Sequence, residues 1–318
     1  MTTRHLVDPE LLPALELFPS FEVDGDNLPT LRAGMAGFLP PLESYARPDV
    51  TIERRRVPGP AGAPDVEVLV YRPVDATAPI PAFLHIHGGG YILGLAEGSG
   101  PGNVRTAAEL GCIVVAVEYR LAPETIAPGA VEDCYAALQW LHGHAEELGV
   151  DRARIAIGGE SAGGGLAAAL ALYARDKGEI PLCFQMLIYP MIDDRTAASN
   201  DGNVHVGEFV WTSAANAFGW RALLGTEPGS VEIPAYGAAA RATDLAGLPP
   251  AYISVGALDL FLEEDVEYAR RLLRAGVPTE LHIFPGAFHG FELAAESALA
   301  QSAERERRAA LARAFARP

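Results

Sequence analysis

The chain has little that would cross-link it or hold it to a surface. Three cysteines occur in 318 residues, Cys112, Cys134 and Cys183, odd in number and widely spaced within apolar stretches. That excludes a disulfide framework and any zinc-like ligand spacing, and it suits buried thiols in a reducing cytoplasm. No run approaches the ~18–20 consecutive apolar residues that a membrane span requires. The start, Met1-Thr2-Thr3-Arg4-His5, leads into charged, proline-broken sequence without a signal-peptide core. A cytoplasmic protein with no membrane contact is therefore expected. Positive charge is scarce as well: 24 Lys and Arg stand against 41 Asp and Glu, a net charge of −17. Nucleic-acid affinity rests on clustered basic residues, so that partner class is excluded. No internal repeat or low-complexity linker is visible.

What is present is a globular composition, 49% hydrophobic, in a chain long enough to bury a large core. Strand-like runs begin near Val50, Val66, Ala82, Cys112, Arg154, Phe184, Ala251 and Leu281. The middle ones are rich in β-branched residues and do not alternate, as expected of strands covered by helices on both faces. Helix-like patterns fall between them at about 103–110, 130–148, 161–177, 261–275 and 295–316. This alternation predicts an α/β fold, a mostly parallel eight-stranded sheet with helices on both faces. The first two runs alternate more and read as an antiparallel edge hairpin.

Four short stretches carry chemistry. Gly159-Glu160-Ser161-Ala162-Gly163 lies between an apolar strand and a helix, where flanking glycines allow a tight turn that exposes the serine hydroxyl. A serine needs an imidazole to take its proton and a carboxylate to orient that imidazole. Downstream strands end in Ala257-Leu258-Asp259 and in Pro285-Gly286-Ala287-Phe288-His289-Gly290-Phe291. Ser161, Asp259 and His289 are thus the candidate triad, in the chain order of an α/β-hydrolase. Upstream, a strand runs into His87-Gly88-Gly89-Gly90-Tyr91. Backbone N–H groups of Gly88, Gly89 and Gly90, with that of Ala162, are the candidate oxyanion donors. The sequence leaves open which two of the glycines point inward.

These stretches, together with Glu118-Tyr119-Arg120-Leu121-Ala122-Pro123-Glu124, resemble the bacterial hormone-sensitive-lipase-like esterases, family IV of the bacterial lipolytic enzymes. The resemblance runs from about residue 80 to residue 291. Two departures stand out: Thr125-Ile126-Ala127-Pro128 replaces His-Pro-Phe-Pro, and Asp259-Leu260-Phe261 replaces Asp-Pro-Leu. The resemblance implies hydrolysis of short- to medium-chain carboxylic esters, no metal and no organic cofactor. It implies a helical cap made of residues 1–45 and 195–230, over a catalytic domain of residues 46–194 and 231–318. Cap aromatics Phe209 and Trp211, and Tyr91 beside the glycine loop, are candidate substrate-binding residues. It also implies a homodimer paired through the last strand, around Leu281 to Phe284.

Other polar residues are assigned structural work. His85 is expected to be buried on its strand, and His87 to anchor the glycine loop. Asp133 is expected to hold neighbouring backbone. Glu263, Glu264 and Asp265 open a helix, where acids suit the positive end of the dipole. The competing readings are a lactone or amide hydrolase with the same triad, and a non-catalytic ligand-binding protein on the same fold.

Overall fold

In the computed structural model, residues 2–17, 22–77, 79–198 and 202–316 are described. They form eight strands: β1 (Val50–Val57), β2 (Val66–Pro73), β3 (Ile80–Ile86), β4 (Ile113–Glu118), β5 (Val150–Glu160), β6 (Phe184–Ile188), β7 (Ala251–Gly256) and β8 (Thr279–Phe284). All eight sequence-predicted strands are there, and they make one sheet in the order β1-β2-β4-β3-β5-β6-β7-β8. β1 and β2 form the expected antiparallel edge hairpin, β2 runs antiparallel to β4, and the remaining pairs are parallel. β5 starts four residues earlier than its apolar run suggested, because Val150 pairs with Ile80 across an irregularity in the register.

The helices are α1 (Leu12–Leu17), α2 (Leu28–Phe38), α3 (Gly100–Leu110), α4 (Gly129–Gly143), α5 (Ala145–Leu148), α6 (Ala162–Lys177), α7 (Ser213–Leu224), α8 (Leu262–Arg274) and α9 (Ala298–Phe315). The expected helix over 130–148 is divided in two at His144. α7 is started by the Thr212 hydroxyl accepting from the Ala215 N–H, and α9 by Ser297 accepting from Ala300. Such caps satisfy donors that a helix start leaves open. Residues 1, 18–21 and 199–201 of the two expected cap segments lie outside the described residues.

Each face of the sheet carries its own apolar layer. One holds Leu84, Ile86, Val115, Ile157 and α4, α6 and α8 residues; the other holds Phe83, Val114, Ala156, Tyr252 and much of α9. Burial on both sides explains why the central strands do not alternate in sequence. Strand register then sets the site. Ile86 pairs with Gly159, Glu160 with Ile188, Ile188 with Ser254, and Gly256 with Phe284. Five parallel strands, β3, β5, β6, β7 and β8, thus end close to one level, and the loops after them meet at one carboxyl edge.

Candidate active site

Ser161 joins β5 to α6 with φ 57° and ψ −122°, a conformation that side chains seldom adopt. Close packing enforces it. The Ser161 N–H donates to Ile188 O at 2.9 Å, and Ser161 O accepts from Gly165 and Met191 at 2.9 and 3.0 Å. A Cβ at Gly159 or Gly163 would strike the Ile86 carbonyl, so the turn can close only with glycine there.

The two downstream candidates reach the serine. His289 Nε2 is 3.0 Å from Ser161 Oγ, and His289 Nδ1 is 2.8 Å from Asp259 Oδ2. Ionised Asp259 can only accept, so Nδ1 carries the proton and Nε2 offers its lone pair to the hydroxyl. Asp259 Oδ1 accepts from the Phe261 N–H at 3.0 Å, and the Leu258 N–H donates to Ala287 O at 2.9 Å, which ties the two loops together. Asp259 is fully buried, while Ser161 and His289 each keep 7% exposure. The His289 ring is flanked edge-on by Phe261, at 5.2 Å and 89°, and by Tyr189, at 4.8 Å and 63°.

Gly88 lies directly against the nucleophile, where a Cβ would come within 2.9 Å of Glu160 O and 3.3 Å of Ser161 Cβ. Among the described residues, no backbone carbonyl takes the N–H of Gly88, Gly89 or Gly90. Gly89 turns at φ 121° and its carbonyl accepts from Ile92 and Leu93, which curls the loop back on itself. His87 acts as the expected anchor. Its Nδ1 donates to Gly88 O at 2.8 Å, its ring stacks on Tyr119 at 4.3 Å, and the Tyr119 hydroxyl donates to His87 O at 2.9 Å. Burial lowers His87 to about 4, so the imidazole is neutral.

The pocket candidates divide. The Trp211 indole, buried and bonded through Nε1 to Asn216 Oδ1 at 3.3 Å, occupies the space where a Gly90 side chain would go. It therefore walls the glycine loop. Phe209 is half-buried and packs edge-on against Phe288 at 6.0 Å. Tyr91, expected at the pocket, instead turns into the core: it is 2% exposed, donates to Met191 O and packs on Trp220. The loop's left-handed turn at Tyr91, φ 67°, aims that side chain inward. A cavity of about 180 Å³ borders His87 and Gly88 and is otherwise lined by Met35, Leu39, Gly94, Leu95, Gly98 and Ser99. Larger clefts of about 480 and 490 Å³ open elsewhere, and Ser161 is in the walls of none of the three.

Several residues behave differently from the sequence reading. Glu264 and Asp265 are not solvent-facing acids at a helix start. Both are buried; Glu264 accepts from the Ile192 and Asp193 N–H groups at 2.8 and 3.1 Å. The carboxylate oxygens of Asp265 have no hydrogen-bond partner among the described residues, and burial, with the charges of Glu264 and Asp259, pushes the carboxyl well up. Cys183 is half-exposed, whereas Cys112 and Cys134 are buried. Asp133 takes the Arg120 N–H at 3.0 Å, as expected, and also its guanidinium at 2.7 and 2.8 Å. His85 is buried as anticipated, yet it carries an unforeseen link: its Nε2 is 2.9 Å from Glu160 Oε2, beneath the elbow. Among the described residues, the one grouping with metal-ligand spacing is Glu280, His282 and Glu306, on β8 and α9, which shares no residue with this site. No helix among them is long and apolar enough to cross a membrane.

The chain matches the family described as having the alpha/beta hydrolase fold over residues 83–293. It is 34% identical to the esterase LipI of Mycobacterium tuberculosis, over 91% of this chain and 88% of that one. It is 35% identical to the carboxylesterase NlhH of the same organism, over 91% and 89% of the two chains. Among solved structures it resembles a bacterial heroin esterase, with a TM-score of 0.92 and 43% identity, covering 99% of this chain and 100% of that one.

Proposed function

Because the chain belongs to the alpha/beta hydrolase family and is a carboxylic ester hydrolase, we propose that it works by two-step acyl transfer through Ser161. One observation carries this mechanism: His289 bridges Asp259 and Ser161 at 2.8 and 3.0 Å while Gly88 abuts the serine. His289 Nε2 takes the hydroxyl proton as Oγ attacks the ester carbonyl. The oxyanion is met by N–H groups of the glycine loop and of Ala162, which lies at the positive end of α6. The imidazolium, held by Asp259, returns its proton to the departing alcohol. A water then loses a proton to His289, attacks the acyl-serine and frees the acid. No step calls for a metal or an organic cofactor.

The segments carrying α1, α2 and α7 act as the cap, excluding water and shaping the pocket. Support comes from Met35 and Leu39 in the wall of the 180 Å³ cavity and from Trp211 against Gly90. Because that cavity borders Gly88, next to the serine, we propose that the site takes a short to medium acyl or alcohol group. Hydrolysis of p-nitrophenyl esters of rising acyl length, with matched anilides, tests this. The expected result is ester turnover that declines steeply with long chains, and anilide turnover far below it. Preferential anilide or lactone turnover would overturn the substrate class.

The partner is a small-molecule ester, and we propose a second copy of the chain as well. Among the described residues, β8 pairs only with β7, leaves an open edge and exposes Ile283, features of a strand able to pair across a two-fold axis. Light scattering at micromolar concentration decides: one species near 33.6 kDa would refute the dimer. Unpaired Cys112, Cys134 and Cys183 support a reducing, cytoplasmic setting.

A further inference from the structure

Helix α2 is fastened to the rest of the molecule mostly at its beginning. Among its described side chains only Leu28 is buried, Leu31 packs part-buried on the same core, and Met35 is 42% exposed. Apolar contact therefore secures the first turn and leaves the second half weakly held. Arg32, just past that turn, supplies a different kind of tie. Its Nε donates to Ile92 O at 2.8 Å and its Nη2 to Ala122 O at 2.6 Å. The same guanidinium grips Glu124 as a fork, Nη1 to Oε1 at 2.8 Å and Nη2 to Oε2 at 3.0 Å. Among the described residues, no other side chain of α2 is hydrogen-bonded to the sheet domain. The places it grips matter. Ile92 donates its own N–H to Gly89 O at 3.1 Å, and the Ala122 N–H donates to Tyr91 O at 3.0 Å, so both acceptors of Arg32 belong to the frame of the glycine loop. Glu124 closes the stretch 118–124 and has no part in acyl transfer; its bond to Arg32 holds the carboxyl below the usual range. Met35 lies one turn beyond Arg32, and with Leu39 it walls the 180 Å³ cavity beside Gly88.

We propose that Arg32 is a positioning residue that latches α2 onto the frame of the glycine loop, and so limits the length of the ester chain seated in that cavity. With the latch closed, Met35 and Leu39 stand at a fixed distance from Gly88, and a long chain must displace them. Without it, the second half of α2 has little to hold it, and the wall yields to a longer chain while gripping a short one less well. The reacting groups are spared, because the loop keeps its bonds from Ile92 and Leu93 to Gly89 O and from Ala122 to Tyr91 O. The inference rests on the short-chain reading of the site proposed above.

Arg32→Ala tests it on two series, p-nitrophenyl esters of rising acyl length and acetates of rising alcohol length, the second followed by pH-stat titration. In at least one series the ratio of kcat/KM for a chain of about ten carbons to one of about four should rise roughly fivefold or more over wild type. For the shorter ester of that series, KM should rise about threefold to tenfold while kcat stays within about threefold. A merely structural loss lowers every ester by one factor and leaves the ratio alone. Arg32→Lys keeps the charge but cannot span three partners, so it should shift the ratio the same way. Amide exchange over residues 28–38, read by mass spectrometry, should quicken in Arg32→Ala while β5 and β6 keep their wild-type protection. An unchanged ratio in both series, or unchanged exchange over α2, would each overturn the proposal. If Arg32→Ala does not fold, Glu124→Ala decides, since that side chain is 65% exposed and its removal leaves no buried gap. The same ratio must then rise about twofold or more, or the proposal fails. Wild-type profiles separate the two readings. Equal turnover of long and short chains by wild type overturns the short-chain reading and the latch with it, whereas a wild type that discriminates beside a variant that discriminates as sharply overturns the latch alone.

Discussion

Two histidines in this enzyme are paired with carboxylates in almost the same way, and only one is placed to do chemistry. His289 and Asp259 are 2.8 Å apart; His85 and Glu160 are 2.9 Å apart. Both rings are more than nine-tenths buried, and both lie close to the Ser161 turn. What separates them is the second ring nitrogen. That of His289 faces a hydroxyl that can give up a proton, and that of His85 faces the Asn103 amide, which cannot usefully do so. A carboxylate–imidazole pair is thus a means of fixing a ring, and the group opposite decides whether the fixed ring is a base or a strut.

The first and largest way to break this comparison is to remove the hydroxyl. Ser161→Ala should lower kcat by roughly five to six orders of magnitude, the scale seen when a serine triad is dismantled. A serine-directed phosphonate should label wild type and leave the variant untouched; appreciable turnover by clean variant protein would end the assignment.

Next comes the carboxylate of each pair. Asp259→Asn should cost on the order of 10⁴ in kcat, because an amide no longer fixes the tautomer that exposes Nε2. Glu160→Gln alters the other pair and should cost no more than about 10² in kcat, since it moves the elbow without touching the proton path. Steady-state kinetics of the two variants side by side reads this directly. Equal losses would mean that the second pair takes part in proton transfer.

The smallest effect concerns a carboxylate with no imidazole at all. The Asp265 carboxylate is buried without a hydrogen-bond partner among the described residues and is pushed up, so the folded state keeps a proton that the unfolded state gives away. Its stabilising share is complete below the unfolded value and is lost as pH rises toward the folded one. Asp265→Asn should therefore gain stability over wild type between acid and neutral pH, by at most about 1.4 kcal/mol per pH unit. Urea unfolding of both proteins at several pH values measures the difference, and parallel curves would refute it. Ester turnover should change little.

The strands and the reacting residues are legible in the sequence because each is written in a local signal. Buried β-branched runs, glycines around Ser161 and polar residues just past strand ends all sit within a few positions of one another. Other features depend on approaches between distant segments. Nothing near Arg307 in the chain indicates that it stands 3.8 Å from Glu292, and Asp265 reads like any acid at a helix start until α8 is packed on the sheet. Tyr91 follows the same rule: its neighbours in sequence form the glycine loop, but a left-handed backbone turn sends its ring the other way. The link between His85 and Glu160 is half legible, since both stand at the ends of strand-like runs; what the sequence lacks is the register of β3 against β5 that brings them side by side.

The fit of the Trp211 indole into the space above Gly90 makes two positions far apart in the chain a single unit of variation. Anyone enlarging the pocket for bulkier acids by trimming the tryptophan would also release the glycine loop from its lid. Laboratory evolution of this scaffold should therefore sample residues 90 and 211 together, because improvements found at either one alone will be read through a loosened oxyanion site.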